Sequence, residues 1–389
     1  MFSSPKRRVL PRSLAMEVLF PAVCLWWNAG EPPDACEQEA RLVQCDNPRN
    51  PPNMGKSRLH RFLQKLNDYR GVIAFVVVFT LGVLFSPKAL DTGLPIFLSW
   101  QTQRAILYEY SEYGLLATGM TLVILTGGID LSVGSVLGLS AVLFSLLTIG
   151  YGWGVAPALG VVLLTGLTCG VVNGSLIARF RIQPFVATLA MMTAARGAAK
   201  LIAGGIKVQP GGQPWYVMQS GTPPVFQWMT TALPGLGIQP STLIFVLGIL
   251  MMAALVRYTA YGRWLYAIGG NEEAARLSGI RVGAVKVLTY ALCGMFAAMA
   301  GVLNACRQDL GDTEAGMTYE LDAIAAVVIA GTSLMGGRGG MMFTLIGVLI
   351  MAYINKILSL NAVELAPRMI IQGIIIAIAV LIQQKRGRS

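Results

Sequence analysis

The segment Gly127-Gly-Ile-Asp-Leu-Ser-Val-Gly134 gathers the residues best suited to something beyond packing. Gly127, Gly128 and Gly134 loosen the backbone, Asp130 supplies a carboxylate and Ser132 a hydroxyl, all between two apolar runs. Non-helical backbone at membrane depth is tolerated only where protein buries it or water reaches it. A glycine-rich break that carries an acid therefore points to a solute pathway or a moving joint. Asp322, just after Glu320 at the start of a later apolar run, is the second carboxylate placed to face a bundle interior. Each acid also has a plainer reading. Asp130 could cap the next helix, and Asp322 could favour the positive end of its own. Both readings stay open in the sequence.

A second constellation lies in the connector 257–286. Its centre runs Ala267-Ile-Gly-Gly-Asn-Glu-Glu-Ala-Ala-Arg-Leu-Ser-Gly279. Asn271 is a good N-cap, and Glu272 and Glu273 suit the positive first turn. Ala274, Ala275 and Arg276 continue the helix, and Gly279 stops it. This predicts a capped helix of about two turns. It has the size of a peg for a groove on a soluble partner, or of an ordinary interfacial helix.

The elements that must hold these groups are membrane spans. Of the 389 residues, 54% are hydrophobic and only 13% charged, against about 25% charged in soluble domains. The chain reads as an all-α, polytopic transmembrane bundle. Its net charge of +11 is scattered through short connectors rather than gathered on one face, which excludes a nucleic-acid partner and fits membrane loops. Ten spans are expected, at 69–85, 113–125, 131–149, 155–177, 185–203, 242–256, 287–305, 321–334, 341–360 and 369–382. Several are short, so the range is eight to ten. Lys and Arg concentrate before residue 69, in 179–181, in 257–286, at Arg338 and at the C-terminus. The positive-inside rule then puts both termini in the cytoplasm.

The outward connector 204–240 reads as a loop punctuated by glycine and proline pairs. Its Trp215, Tyr216, Phe226 and Trp228 suit an interfacial aromatic belt or a docking surface for an external partner. Glycine punctuation in 123–134 resembles that in 328–339, so a parallel internal repeat is considered. Residues 1–55 form an atypical extension, expected to be disordered or to reflect a start placed too far upstream, with Met54 an alternative start. A cleaved signal is disfavoured, because it would deliver the basic stretch 56–70 outside.

Covalent chemistry finds no support. Cysteines 24, 36, 45, 169, 293 and 306 lack metal-ligand spacing, and His60 has no partner, so no metal or cofactor is expected on this chain. Gly55-Lys56-Ser57 fails as a phosphate-binding loop because Asn50 stands where a glycine is required. No ladder of buried acids and bases suggests proton drive. The rival readings are a stand-alone secondary carrier for a small polar solute and a membrane scaffold without transport.

Four motifs in order carry a resemblance: residues 127–134, Gln183-Pro-Phe-Val-Ala187, Gly270-Asn-Glu-Glu-Ala-Ala275 and Leu321-Asp-Ala-Ile-Ala-Ala-Val-Val-Ile329. From about residue 56 onward the chain resembles the ribose- and galactofuranose-type sugar permeases of bacterial ATP-binding-cassette (ABC) importers. The resemblance implies an inner-membrane permease for a monosaccharide, pentose or hexose. It implies a second permease copy or a paralogue, a cytoplasmic ABC ATPase that binds the ATP and magnesium, and a periplasmic sugar-binding protein. It also implies that Asn271, Glu272, Glu273, Ala274, Ala275, Arg276 and Gly279 form the ATPase-coupling helix. No sugar-contacting residue is carried over.

Overall fold

The computed structural model describes residues 70–90, 93–211 and 222–384. The extension 1–55, His60, the basic lead-in before residue 69, Trp215, Tyr216 and the C-terminal residues 385–389 lie outside the described residues. In chain order the helices are α1 (Arg70–Leu84), α2 (Trp100–Glu109), α3 (Ser111–Leu125), α4 (Val133–Ser145), α5 (Val155–Phe180), α6 (Pro184–Ile202) and α7 (Pro224–Thr230). They continue as α8 (Pro240–Tyr258), α9 (Ala260–Gly270), α10 (Glu272–Leu277), α11 (Val282–Gln308), α12 (Tyr319–Ile329), α13 (Met341–Leu360) and α14 (Leu365–Gln384). Extended pairing among the described residues amounts to two isolated bridges, Lys88 with Pro95 and Val208 with Gly311.

Local chemistry sets many of the boundaries. Pro184, Pro224 and Pro240 each open a helix, where a missing N–H costs nothing. Arg181 and Asp309 end α5 and α11 in the left-handed conformation, with φ of 54° and 56°. Among the described residues, six helices are long and apolar enough to cross a membrane: α4 extended by one π turn to Gly150, α5, α6, α8, α11 and α13. Gly71–Leu84 and Ser111–Leu125 are shorter apolar helices.

The core is built on α3 and α4, which are mainly apolar and almost wholly buried. Around them pack α5, α8, α11, α12 and α13. The closest seam joins α5 to α11. Gly166, Gly170 and Gly174 recur every fourth residue on α5, and a Cβ on Gly170 would collide with the Tyr290 carbonyl of α11. Lipid offers no hydrophobic drive for helices to associate, so such close backbone contact supplies the van der Waals attraction instead.

Several expectations are corrected here. The connector 204–240 is not all loop: it contains α7, and Phe226 on that helix is fully buried, stacked on Phe144 at 5.6 Å. Phe226 belongs to the core, whereas Trp228 is 53% exposed. Arg104 on α2 donates to the Gly237 carbonyl, which ties α2 to the connector 204–240. The span expected at 321–334 is helical only to Ile329. Chain 330–340 continues as coil, and several of its residues are buried within the protein, which is the circumstance that permits coil inside a bundle.

Candidate functional site

The short helix α10 forms as its sequence dictates. The Asn271 side chain accepts a hydrogen bond from the Ala274 amide at 3.0 Å, and Glu272 and Glu273 occupy the first turn. At the other end, Gly279 has φ of 82°. Its amide donates to the Arg276 carbonyl, and the Ile280 amide reaches the Ala275 carbonyl at 3.1 Å. That pair of bonds is the Schellman stop. Glu272 bonds Lys286 on α11 at 2.7 Å and Arg276 at 3.3 Å, and Ala275 is buried. One face of α10 is thus fastened to the bundle. The other presents Glu273 and Leu277, which is 82% exposed. The connector also holds more than one helix: α9 precedes α10 and buries Leu265 and Ile268, while Tyr261 hydrogen-bonds Thr289 on α11 at 2.9 Å.

The last residues of α9 meet both glycine-rich breaks. The Gly337 amide donates to the Leu125 carbonyl at 3.1 Å. A Cβ on Gly269 would strike that same carbonyl and the Gly337 amide. Gly336, at φ 83°, lies against the backbone of Gly127 and Gly269. Tyr266 on α9 donates to the Gly339 carbonyl at 2.9 Å. The chain after α3 and the chain after α12 therefore interlock with each other and with the residues leading into α10. The two segments whose glycine punctuation looks alike are packed together.

Beyond Gly127, whose φ is 77°, the break buries its acid. Asp130 is 1% exposed, and its Oδ1 accepts from the Ser132 amide at 2.9 Å and the Ser132 hydroxyl at 2.6 Å. Asn173 on α5 donates to Ser132 Oγ at 3.0 Å. Ser132, not Asp130, stands at the N-cap of α4, and its side chain makes no cap bond. The capping reading of Asp130 is corrected to a local turn that ties it to Ser132. Next to the cluster, Asn173 Oδ1 and Tyr290 Oη have no hydrogen-bond partner among the described residues. A Cβ on Gly128 would lie 2.5 Å from Tyr290 Oη, and Gly134 packs on the Gly316 carbonyl. These glycines permit close approach.

Asp322 sits apart from this cluster, in the first turn of α12, facing a small crevice with Tyr110, Tyr113 and Asn355. The helix-end reading of Asp322 agrees with that placement. Sequence reasoning missed another buried acid. Glu112, 2% exposed at the start of α3, pairs with Arg307 and accepts from Asn304 Nδ2 at 2.9 Å. Asn304 and Arg307, three apart on α11, share one helix face. Arg196 on α6 was also missed. It donates to the Thr313 and Ala315 carbonyls at 2.6 and 2.7 Å, holding the segment between α11 and α12. Among the described residues, no group of His, Cys, Asp and Glu could hold a metal.

A bundle of apolar helices with buried breaks and a fastened short helix is the fold of a polytopic membrane protein. Residues 104–380 match the family model described as branched-chain amino acid transport system / permease component. The chain belongs to this family of permeases. It is 38% identical over 323 residues to the ribose import permease protein of Escherichia coli (strain K12), covering 82% of this chain and 95% of the relative. It is 40% identical over 327 residues to the ribose import permease protein of Bacillus subtilis (strain 168), with 84% and 94% covered. The galactofuranose transporter permease protein of E. coli (strain K12) is 34% identical over 316 residues, with 81% and 89% covered. No solved structure matches the chain.

Proposed function

We propose that the chain is the translocating subunit of an ATP-driven importer that carries a monosaccharide across the bacterial inner membrane. The observation that carries this reading is the near full-length similarity to proteins named for ribose and galactofuranose import. The family description names branched-chain amino acids, but the relatives matched along most of their length are named for sugars, and that favours a neutral polyol.

In this reading ten spans place both termini in the cytoplasm, and the connector 257–286 faces the same side. A partner ATPase binds ATP and magnesium and seats the exposed face of α10. A periplasmic sugar-binding protein delivers the substrate, and a second permease, identical or paralogous, completes the membrane unit within the lipid. Fastening supports a coupling role for α10: a helix that transmits a push must not slide, and Glu272–Lys286 with the Ala275 contact holds it to α11. The interlocked glycines of Gly127, Gly269 and Gly336 would pass movement of α9 and α10 to the Asp130 break.

Reconstitution in proteoliposomes with a candidate ABC ATPase and a candidate sugar-binding protein from the same organism tests the reading. Monosaccharide uptake should require ATP and both partners. Uptake by the chain alone, driven by an ion gradient, would make it a secondary carrier instead.

A further inference from the structure

The crevice beside Asp322 lies between three helices. Tyr110 and Tyr113 come from the α2–α3 corner, Asp322 and Ala326 from α12, and Met351 and Asn355 from α13. Tyr113 continues into Tyr319 with ring centroids 4.2 Å apart and is itself stacked on Tyr110 at 5.1 Å. The Asp322 carboxylate has no hydrogen-bond or ion-pair partner among the described residues. An ionisable side chain within a span is expensive and normally faces a partner or a pathway. Its neighbours show how such partnering is done elsewhere in this chain: Glu112 is matched by Arg307 and Asn304, and Glu109 by Lys356 at 3.1 Å. Asp322 alone of these three acids is left to a ligand.

The lining selects the chemistry. A carboxylate accepts short, charge-assisted hydrogen bonds from hydroxyl groups. Asn355 gives its amide N–H to the Met351 carbonyl at 3.1 Å and also hydrogen-bonds Tyr110, so Asp322 is the lining group left to accept. Tyrosine rings offer flat apolar faces to C–H surfaces. An amino acid would need a cation for its own carboxylate, and Lys356, the base next to Asn355, is already held by Glu109. An anionic solute would meet Asp322 with Glu320 two residues away. A neutral polyol satisfies every group. In this conformation the crevice has room for about one water, which is also the room one hydroxyl needs.

Resting on the monosaccharide reading above, we propose that Asp322, Asn355, Tyr110 and Tyr113 form a subsite for one hydroxyl or hydroxymethyl group of the sugar in transit. Asp322 is the acceptor, and the tyrosine faces flank the sugar's C–H surface.

The test is uptake in the reconstituted three-component system at saturating, sugar-loaded binding protein. The transported sugar is compared with each of its monodeoxy analogues. Wild type should carry one analogue about tenfold more slowly than the parent, the effect of one charge-assisted hydrogen bond. Asp322→Asn should weaken that discrimination, and Asp322→Leu should abolish it while lowering parent uptake by about tenfold. Equal rates for all analogues in wild type would overturn the subsite, as would unchanged discrimination in Asp322→Leu. Wild type that imports no monosaccharide would instead overturn the functional reading on which the subsite rests. Because the wild-type analogue series needs no substitution, a poorly folding variant leaves the subsite exposed to refutation.

Discussion

The Gly337 amide hydrogen-bonds the Leu125 carbonyl at 3.1 Å, so the loop after α12 is tied to the last turn of α3, residues more than two hundred apart in sequence. Gly269 lies against the same carbonyl with no space for a Cβ. Gly269→Val should therefore push α9 away from both breaks and cost about 1–3 kcal/mol as an overpacked contact. Uptake per inserted molecule should fall further than stability does. Gly270→Ala is the control, since a Cβ there meets nothing within 4 Å. Thermal unfolding in detergent and initial uptake rates check both variants, and equal behaviour of the two would remove the interlock from the mechanism.

Glu112 and Arg307 make a second long-range tie, near the opposite ends of α3 and α11 from the glycine junction. Removing one partner of a buried pair leaves an uncompensated charge and costs about 3–5 kcal/mol. Arg307→Leu should be strongly destabilising. The double variant Glu112→Leu with Arg307→Leu should recover most of the loss, because apolar replacement of both partners is often nearly neutral. Thermal melts of the three forms decide it.

The segment before α12 is also held from outside the spans. Val208 and Gly311 exchange backbone hydrogen bonds of 2.9 and 2.8 Å beside the Lys207–Asp312 pair at 2.8 Å. Partial burial pushes the Asp312 carboxyl up, but the Lys207 hydrogen bond and the Glu314 amide outweigh it and hold the carboxyl below the usual carboxylate range. The Asp312 hydrogen bond in turn raises the Lys207 amine. Asp312's stabilisation is thus lost only as pH falls through its depressed value, and Lys207's only as pH rises through its raised one. Intrinsically corrected amide exchange at Val208 and Gly311 should stay flat between about pH 5 and 9. It should quicken in Asp312→Asn at neutral pH.

How much of this was legible in the sequence differs by range. Apolar runs mark the helices because burial in lipid or in a bundle selects the same residues. Asn271, Glu272 and Gly279 mark α10 because a cap and a Schellman stop are made within a few residues. The pairing of Glu112 with Arg307 was illegible, since nothing in either neighbourhood encodes a partner 195 positions away. The end of α12 at Ile329 was hidden for a related reason: coil at 330–340 is tolerated only because distant glycines cover it. Asp130 misled as a cap because an acid before Leu-Ser-Val fits a helix start, and only the fold shows Ser132 taking that position. Phe226 looked interfacial until α7 carried it onto Phe144.

Sidedness follows from the charge of the connectors. In a background with the native cysteines replaced, Leu277→Cys on α10 and Leu236→Cys in the loop before α8 are both exposed positions, 82% and 59%. A membrane-impermeant thiol reagent should label them from opposite sides. Ala275 on the same helix is buried and unsuitable. Labelling of both from one side would require the spans between them to be redrawn.

On the proposed reading ATP hydrolysis drives transport through the free face of α10, and Glu273 on that face is the residue that probes it. Glu273→Arg sets a positive charge on the positive end of the helix and alters the face offered to the ATPase, while Glu272, Ala275 and Lys286 still fasten α10 to the bundle. The measurement is sugar imported per ATP hydrolysed in proteoliposomes holding the complete importer. Coupling through α10 predicts a ratio several-fold below wild type, or loss of ATPase association, with normal insertion of the permease. A wild-type ratio with the ATPase still bound would contradict it.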